Sequence, residues 1–151
     1  MSLLEDTGGL TGLQTLQRWV ASGGRAPIGS ALEFDLIEVA EGRAVFQGTP
    51  GRHAYNPIGS VHGGYAATLL DSACGCAVHA SLDATQGYTT LELKVAYHRA
   101  LTADTGPVRA EGKVVSIGKR VAFAEAKITD SAGRLYATAT STLLVFERRA
   151  T

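Results

Sequence analysis

The sequence predicts an α+β fold in which one antiparallel sheet curves around a single buried helix. The centre of the 151-residue chain holds a long segment of small and apolar residues with almost no charge. Apolar and polar residues alternate on both sides of it, and the later alternating runs are joined by short turns. A helix that is apolar nearly all round is buried, and short connections favour antiparallel strands. The sheet must therefore wrap the helix.

The length and the charge balance of the chain indicate its domain count, its partners and its location. We predict one domain over residues 1–151, with a helical extension at 1–30 and the core at 31–146. Fourteen basic and fourteen acidic residues cancel, which excludes a general attraction to nucleic acid or to anionic membrane. The N-terminus has neither a basic nor a continuous apolar region, and no stretch is long enough to cross a bilayer. The expected location is cytoplasmic.

The first half of the chain predicts a helix and a strand pair before the central helix. Residues 11–22 place Leu13, Leu16 and Trp19 at helical intervals, which indicates an amphipathic helix packed on the outside. From residue 31 the period changes to two. Residues 32–39 and 43–49 then form a hairpin.

Four further strands are predicted after the central helix. In the first of them Leu91, Leu93, Val95 and Tyr97 are expected on the buried face and Thr90 on the other. Gly118-Lys119 and the segment 130–133 resemble turns. The strands are therefore placed at residues 88–99, 106–117, 120–129 and 135–146.

The charge pattern of the central helix draws attention to Asp71. Between His53 and Leu82 it is the only Asp, Glu, Lys or Arg. A buried ionised carboxylate needs hydrogen-bond donors, water or an opening to a cavity. Asp71 therefore either satisfies backbone amides or a subunit contact, or it acts as a general base or nucleophile.

The entrance of the same helix offers a second set of candidates. At a helix N-terminus the unsatisfied amides carry partial positive charge, so the N–H groups of Gly63 and Gly64 could polarise a carbonyl. The alternative is an ordinary turn into a helix, with His62 as a loop residue and Asn56 as a turn former before Pro57.

The spacing of these candidates has a structural consequence. Asp71 lies eight residues beyond Gly63, or about 12 Å along a helix axis, which is too far for both to act on one carbonyl carbon. If the two cooperate, they come from different chains. Two antiparallel copies of the helix across a homodimer would create two composite sites.

The pattern N-P-x-G-x-V-H-G-G-x-x-x-T-L-x-D and the four following strands resemble the hotdog-fold acyl-CoA thioesterases. The resemblance is to the phenylacetate-degradation type, related to the 4-hydroxybenzoyl-CoA thioesterases, and covers residues 31–146. It implies hydrolysis of an aryl- or phenylacetyl-CoA or a medium-chain acyl-CoA by a homodimer with composite sites, assembled as a homotetramer. Coenzyme A would enter as part of the substrate, and no bound cofactor is implied.

The resemblance also assigns roles by position. Asp71 would be the general base or nucleophile, and the Gly63 N–H would polarise the thioester carbonyl, next to Gly64. Asn56 would position water or substrate, His62 would orient its loop, and Thr90 would be an auxiliary contact to water. Gly118, Lys119 and Arg120 match a turn that contacts coenzyme A phosphates. Gly75 departs from the benzoyl-type enzymes, which have a Thr one turn after the acid.

Two other functions compete with hydrolysis. A dehydratase or hydratase of this fold would pair a His and an acid as acid and base, here His62 and Asp71. A non-catalytic acyl-CoA-binding domain would keep the fold and lose the acid. No metal site is predicted, because the four histidines lack a ligand spacing and Cys74 and Cys76 diverge on the helix; both cysteines are treated as packing residues.

Overall fold

The computed structural model describes residues 8–149. The chain enters through two short helices and one strand pair, passes through a long helix, and ends in four strands. The helices are α1 (Gly12–Ala21), α2 (Pro27–Leu32) and α3 (Gly63–His79). The strands are β1 (Phe34–Ala40), β2 (Arg43–Gly48), β3 (Gln86–Tyr97), β4 (Val108–Ile117), β5 (Val121–Asp130) and β6 (Leu135–Glu147).

The strands form a single antiparallel sheet, as the sequence predicts. Its order is β1-β2-β4-β5-β6-β3, and all five neighbouring pairs are antiparallel. The strand that follows α3 therefore crosses to the far edge of the sheet instead of pairing with β2. This crossover leaves α3 lying across the sheet. Within residues 8–149, no helix combines the length and apolar character that a membrane span needs.

Helix α3 is the centre of the core, and its small residues permit close approach of the sheet. Six of its side chains are fully buried: Leu69, Leu70, Ala73, Cys74, Ala77 and Val78. Gly112 on β4 crosses it so closely that a Cβ there would lie 2.2 Å from the Ala73 carbonyl oxygen. The prediction of a long buried helix that packs against an antiparallel sheet is confirmed.

The N-terminal segment differs from its prediction in two respects. The predicted strand at 32–39 is wrong at its start, because helix α2 runs to Leu32 and Glu33 then adopts φ 59°, ψ 54°. That left-handed residue ends the helix and redirects the chain into β1. Helix α1 begins at a capping box between Thr11 and Gln14, and it buries Leu16 almost completely. It is thus part of the core, not only an outer layer.

Candidate active site

Asp71 lies in the middle of α3, half-buried, on the wall of a cavity of about 560 Å³. The cavity is bounded by α3, by the first residues of β3, by β1 and β2, and by the two N-terminal helices. The Thr90 hydroxyl on β3 donates a hydrogen bond of 3.0 Å to Asp71 Oδ1. The carboxylate is therefore oriented by a neighbouring strand while it faces an open volume.

A β-bulge explains how Thr90 reaches Asp71. Thr90 pairs with Leu143 of β6 and Glu92 with Thr142, so Leu91 is the extra residue on β3. The bulge puts Thr90 on the helix side together with Leu93, although strict alternation would place them on opposite faces. Leu91 is 59% exposed, so its prediction as a buried-face residue is wrong.

The entrance of α3 is a capped helix N-terminus. His62 is the N-cap residue, and its Nδ1 accepts a hydrogen bond of 2.7 Å from the Gly64 N–H. The Gly63 carbonyl accepts a hydrogen bond of 2.7 Å from the Tyr97 hydroxyl. In the described part of the chain no acceptor is bonded to the Gly63 N–H. Of the two predicted amide donors, Gly64 is thus engaged with His62 and Gly63 is available.

Asn56 organises the loop before α3. Its Oδ1 accepts hydrogen bonds from the N–H groups of Ile58 (3.1 Å) and Ser60 (3.3 Å). Its Nδ2 donates to the Ser60 hydroxyl at 3.3 Å. These contacts are typical of an Asn side chain that holds a turn. Within one chain, Asn56 and Asp71 share no hydrogen bond.

The predicted residues separate into two groups in one chain. His62 and Gly63 line a second cavity of about 310 Å³, together with residues 97–101. Asp71 and Thr90 line the larger cavity, and neither residue lies in the smaller one. The structure thus does not bring the helix entrance and the carboxylate together within a protomer.

The predicted phosphate-binding turn is exposed and lies at the end of the sheet near Asp71. Gly118, Lys119 and Arg120 connect β4 to β5, where the Gly118 N–H donates to the Val121 carbonyl at 2.9 Å. Val121 pairs with Leu144, which pairs with Thr89. Arg120 is therefore about two strand spacings, or about 10 Å, from the start of β3.

The two cysteines of α3 have thiols of low reactivity. Burial, with the negative charge of Asp71 as the next cause, raises the pKa of Cys74 and that of Cys76 to about 12. Both thiols are therefore protonated at neutral pH and are poor nucleophiles. Among residues 8–149 there is no cluster of three or more His, Cys, Asp or Glu that could hold a metal ion.

Several residues of the larger cavity were not predicted from the sequence. His79 and Tyr88 lie at its inner wall with ring centroids 5.6 Å apart, and Trp19 of α1 also lines it. A Cβ on Gly75 would lie 3.0 Å from the Tyr88 hydroxyl, so this glycine makes room for the tyrosine. The sequence signal was the helical spacing: His79 is eight residues after Asp71, so the two side chains are about 80° apart around α3 and lie on the same side of it.

Comparison with known proteins agrees with this architecture. A model of the Thioesterase superfamily matches residues 58–137. A 1,4-dihydroxy-2-naphthoyl-CoA hydrolase of Listeria monocytogenes is 29% identical over 116 residues, which are 77% of this chain and 93% of that protein.

Two solved structures have the same fold. A thioesterase family protein from Silicibacter pomeroyi superposes with a TM-score of 0.77 at 26% identity, covering 88% of this chain and 98% of that one. A hypothetical thioesterase from Streptococcus pneumoniae, determined with coenzyme A, has a TM-score of 0.71 at 27% identity, covering 80% and 92%.

The six-stranded antiparallel sheet around α3 is thus the hotdog-like fold of thioesterases. More specifically, the chain belongs to the Thioesterase superfamily, because the family model matches more than half of its residues. The protein is a thioester hydrolase, which confirms the predicted class of enzyme.

Proposed function

We propose that the protein hydrolyses an acyl-CoA thioester and is of the phenylacetate-degradation type, with an aryl- or phenylacetyl-CoA or a medium-chain acyl-CoA as substrate. The observation that carries this proposal is Asp71, a carboxylate oriented by Thr90 at 3.0 Å on the wall of a cavity of about 560 Å³. The name of the Listeria relative and the coenzyme A in the Streptococcus structure support a coenzyme A thioester.

Asp71 would act as general base on water or as nucleophile on the thioester carbon. A thiolate is a good leaving group, so an oriented carboxylate and one polarising amide can suffice without a Ser-His-Asp triad. The Gly63 N–H would stabilise the developing oxyanion with the help of the helix dipole. Asn56 and His62 would hold the loop that presents this amide, and Gly64 would contribute through its bond to His62.

The separation of the two groups supports a site shared between chains. Asp71 and Gly63 line different cavities of one protomer, so the amide that faces Asp71 would come from a partner. Strand β3 is an open edge of the sheet and carries exposed Leu91 and Tyr97, which gives a second copy a surface to pair with. We propose a homodimer with two composite sites, assembled as a homotetramer.

Coenzyme A would be bound as part of the substrate, without a separate cofactor. Lys119 and Arg120 are exposed on the turn that lies about 10 Å from the start of β3. Their charges are not engaged with any carboxylate of the described chain. They are therefore available to the phosphates, with Gly118 shaping the turn.

The test is release of free thiol from a panel of acyl-CoA thioesters. Asp71→Asn keeps the size and the hydrogen-bond acceptor for Thr90 but removes the base, and we expect kcat to fall by about 10²–10⁴-fold. Asp104→Asn, at an exposed loop carboxylate, is the matched control and should retain wild-type turnover. Undiminished turnover by the Asp71→Asn protein would refute the assignment.

A further inference from the structure

Tyr97, the last residue of β3, is an exposed side chain whose hydroxyl is directed back at the entrance of α3. The residue is 57% exposed, yet its hydroxyl donates a hydrogen bond of 2.7 Å to the Gly63 carbonyl. The phenol also covers Gly63, because a Cβ there would lie 2.9 Å from the hydroxyl oxygen and 3.1 Å from the ring carbon that bears it. Tyr97 by itself therefore requires a residue without a side chain at position 63.

The two peptide groups on either side of Gly63 contain four polar groups, and three of them are engaged. The His62 carbonyl accepts a hydrogen bond of 2.9 Å from the Tyr65 N–H. In the next peptide group Tyr97 holds the Gly63 carbonyl, and His62 Nδ1 holds the Gly64 N–H, each at 2.7 Å. The fourth group is the Gly63 N–H, which has no acceptor among residues 8–149. Its direction is set by the three bonds around it.

The bond from Tyr97 differs from the other two because it comes from outside the first turn. The other two join residues 62–65 to one another, so they move together with the turn. Two consecutive glycines add conformational freedom at this point, since glycine has access to more backbone conformations than any other residue. The Tyr97 hydroxyl therefore ties the Gly63-Gly64 peptide group to the sheet.

Strand β3 also holds the carboxylate on α3, through the bond from Thr90 to Asp71. Thr90 and Tyr97 are seven residues apart on this strand, which corresponds to about 20 Å. Thr90 lines the larger cavity and Tyr97 lines the smaller one. In the composite arrangement each copy of β3 would thus contact the carboxylate of one site and the amide of the other.

We propose that Tyr97 is a positioning residue that directs the Gly63 N–H at the oxygen of the thioester carbonyl, so that β3 places one group in each of the two composite sites. This inference rests on the proposed thioesterase function and adds a residue to it. Tyr97 acts through the amide and does not touch the reacting atoms. An amide stabilises an oxyanion only when it points at it, and a small misplacement is costly to the rate.

The experiment is a double-mutant cycle on kcat. Tyr97→Phe removes the hydroxyl and keeps the ring, and we expect kcat to fall about tenfold while KM changes by less than about twofold. In the Gly63→Pro background there is no N–H to direct, so the same substitution should cause no further loss. A tenfold loss in both backgrounds would overturn the proposal, because Tyr97 would then act through folding or assembly. An unchanged kcat in the single variant would also overturn it.

Tyr55→Phe is the matched control for the loss of a phenol oxygen. The Tyr55 hydroxyl accepts a hydrogen bond of 2.8 Å from the Ala103 N–H, so this variant also removes a bond between a tyrosine and the backbone. The bond lies outside the first turn of α3, and we expect wild-type kcat. A tenfold loss in this control as well would assign the effect of Tyr97→Phe to general loosening and would contradict the proposal.

A dimer of one Asp71→Asn chain and one Gly63→Pro chain tests which site each Tyr97 serves. Its single intact site takes the amide from the Asp71→Asn chain. Tyr97→Phe on that chain should lower turnover about tenfold, and on the Gly63→Pro chain it should have no effect. Equal losses from either chain, or a mixed dimer without activity, would overturn the assignment of the two ends of β3 to different sites.

Hydrogen exchange separates this inference from the thioesterase assignment. Tyr97→Phe should speed up exchange of the Gly64 N–H several-fold, because its peptide group loses one of its two held ends. Exchange of the Leu70 N–H, in the middle of α3, should not change. Absence of turnover on every thioester would reject the proposed function, whereas unchanged exchange at Gly64 would reject the role of Tyr97.

Discussion

The first turn and the middle of α3 provide two very different environments on one helix. At the first turn the chain is fixed by hydrogen bonds: His62 caps Gly64 at 2.7 Å and Tyr97 holds the Gly63 carbonyl at 2.7 Å. The middle of the helix instead faces a larger cavity with apolar walls, and its carboxylate is held by one hydrogen bond from Thr90.

The two regions therefore provide different chemical groups. The first turn offers the Gly63 N–H and the helix dipole, and the middle offers the Asp71 carboxylate, which lines a different cavity. Neither region is a complete site, because hydrolysis of a thioester needs both a base or nucleophile and a group that stabilises the oxyanion. A complete site would require the first turn of one chain to combine with the middle of α3 from another.

The largest expected effect is complementation between two inactive variants. Chains carrying Asp71→Asn and chains carrying Gly63→Pro are co-expressed with different tags, and the mixed dimer is isolated. It contains one intact composite site out of two, so we expect about half of the wild-type activity per dimer. Parent homodimers purified in parallel serve as controls. If both groups act within one chain, the mixed dimer will be as inactive as its parents.

The second-largest loss of kcat is expected when the N–H of Gly63 alone is removed. Proline is tolerated at the first helical position, and His62 already has φ −58°, ψ 135°, which suits a residue before proline. Gly63→Pro therefore removes the N–H while the helix survives, and kcat should fall by about 10²–10³-fold.

Gly63→Ala is the matched control for this variant. Its Cβ would also lie 2.9 Å from the Tyr97 hydroxyl, so it shares the steric cost of proline but keeps the amide. We expect its loss of kcat to be much smaller. Equal losses in the two variants would assign the effect to crowding and would contradict the oxyanion role.

The sequence predicted those features of the two regions that depend on neighbouring residues. It did not predict the features that depend on residues far apart in the chain. The buried helix and the antiparallel sheet were predictable because charge depletion and alternation are local patterns. The position of Leu91 was not, because a single extra residue shifts every following side chain to the other face and leaves no periodic signal of its own.

Local sequence patterns do not predict the cavity either. Its wall joins Trp19, Phe34 and Tyr88 from three distant segments, and no spacing rule relates them. Helix α2 was missed because its six residues are too few for a helical period to emerge. Asp71 is a candidate because it is the one charge in its segment, and His62 is a candidate only through the resemblance of the helix entrance to the thioesterase pattern. His79 has no ligand spacing that would single it out in the sequence.

A smaller effect is expected from the bond that the bulge makes possible. Thr90→Val keeps the shape and the strand propensity of Thr90 but removes its hydroxyl. Losing one hydrogen bond to Asp71 should lower kcat about tenfold, measured by thiol release. Thr90→Ser, which keeps the hydroxyl, should stay close to wild type. If Val and Ser variants behave alike, the 3.0 Å contact has no part in turnover.

The smallest effect concerns the cap at the first turn. His62→Ala removes the acceptor of the Gly64 N–H, and loss of an N-cap costs about 1 kcal/mol. Urea denaturation should therefore show a lower free energy of unfolding, compared at one protein concentration because association affects apparent stability. His62→Asn supplies another side-chain acceptor and should restore most of the loss.

The turnover of His62→Ala and His62→Asn then defines the role of His62. If the residue only fixes the loop that presents Gly63, His62→Asn should regain turnover together with stability. A dehydratase would use the imidazole itself as acid or base, and then His62→Asn would be stable but inactive. Recovery of both properties in one variant therefore separates a structural role of His62 from use of its imidazole as an acid or base.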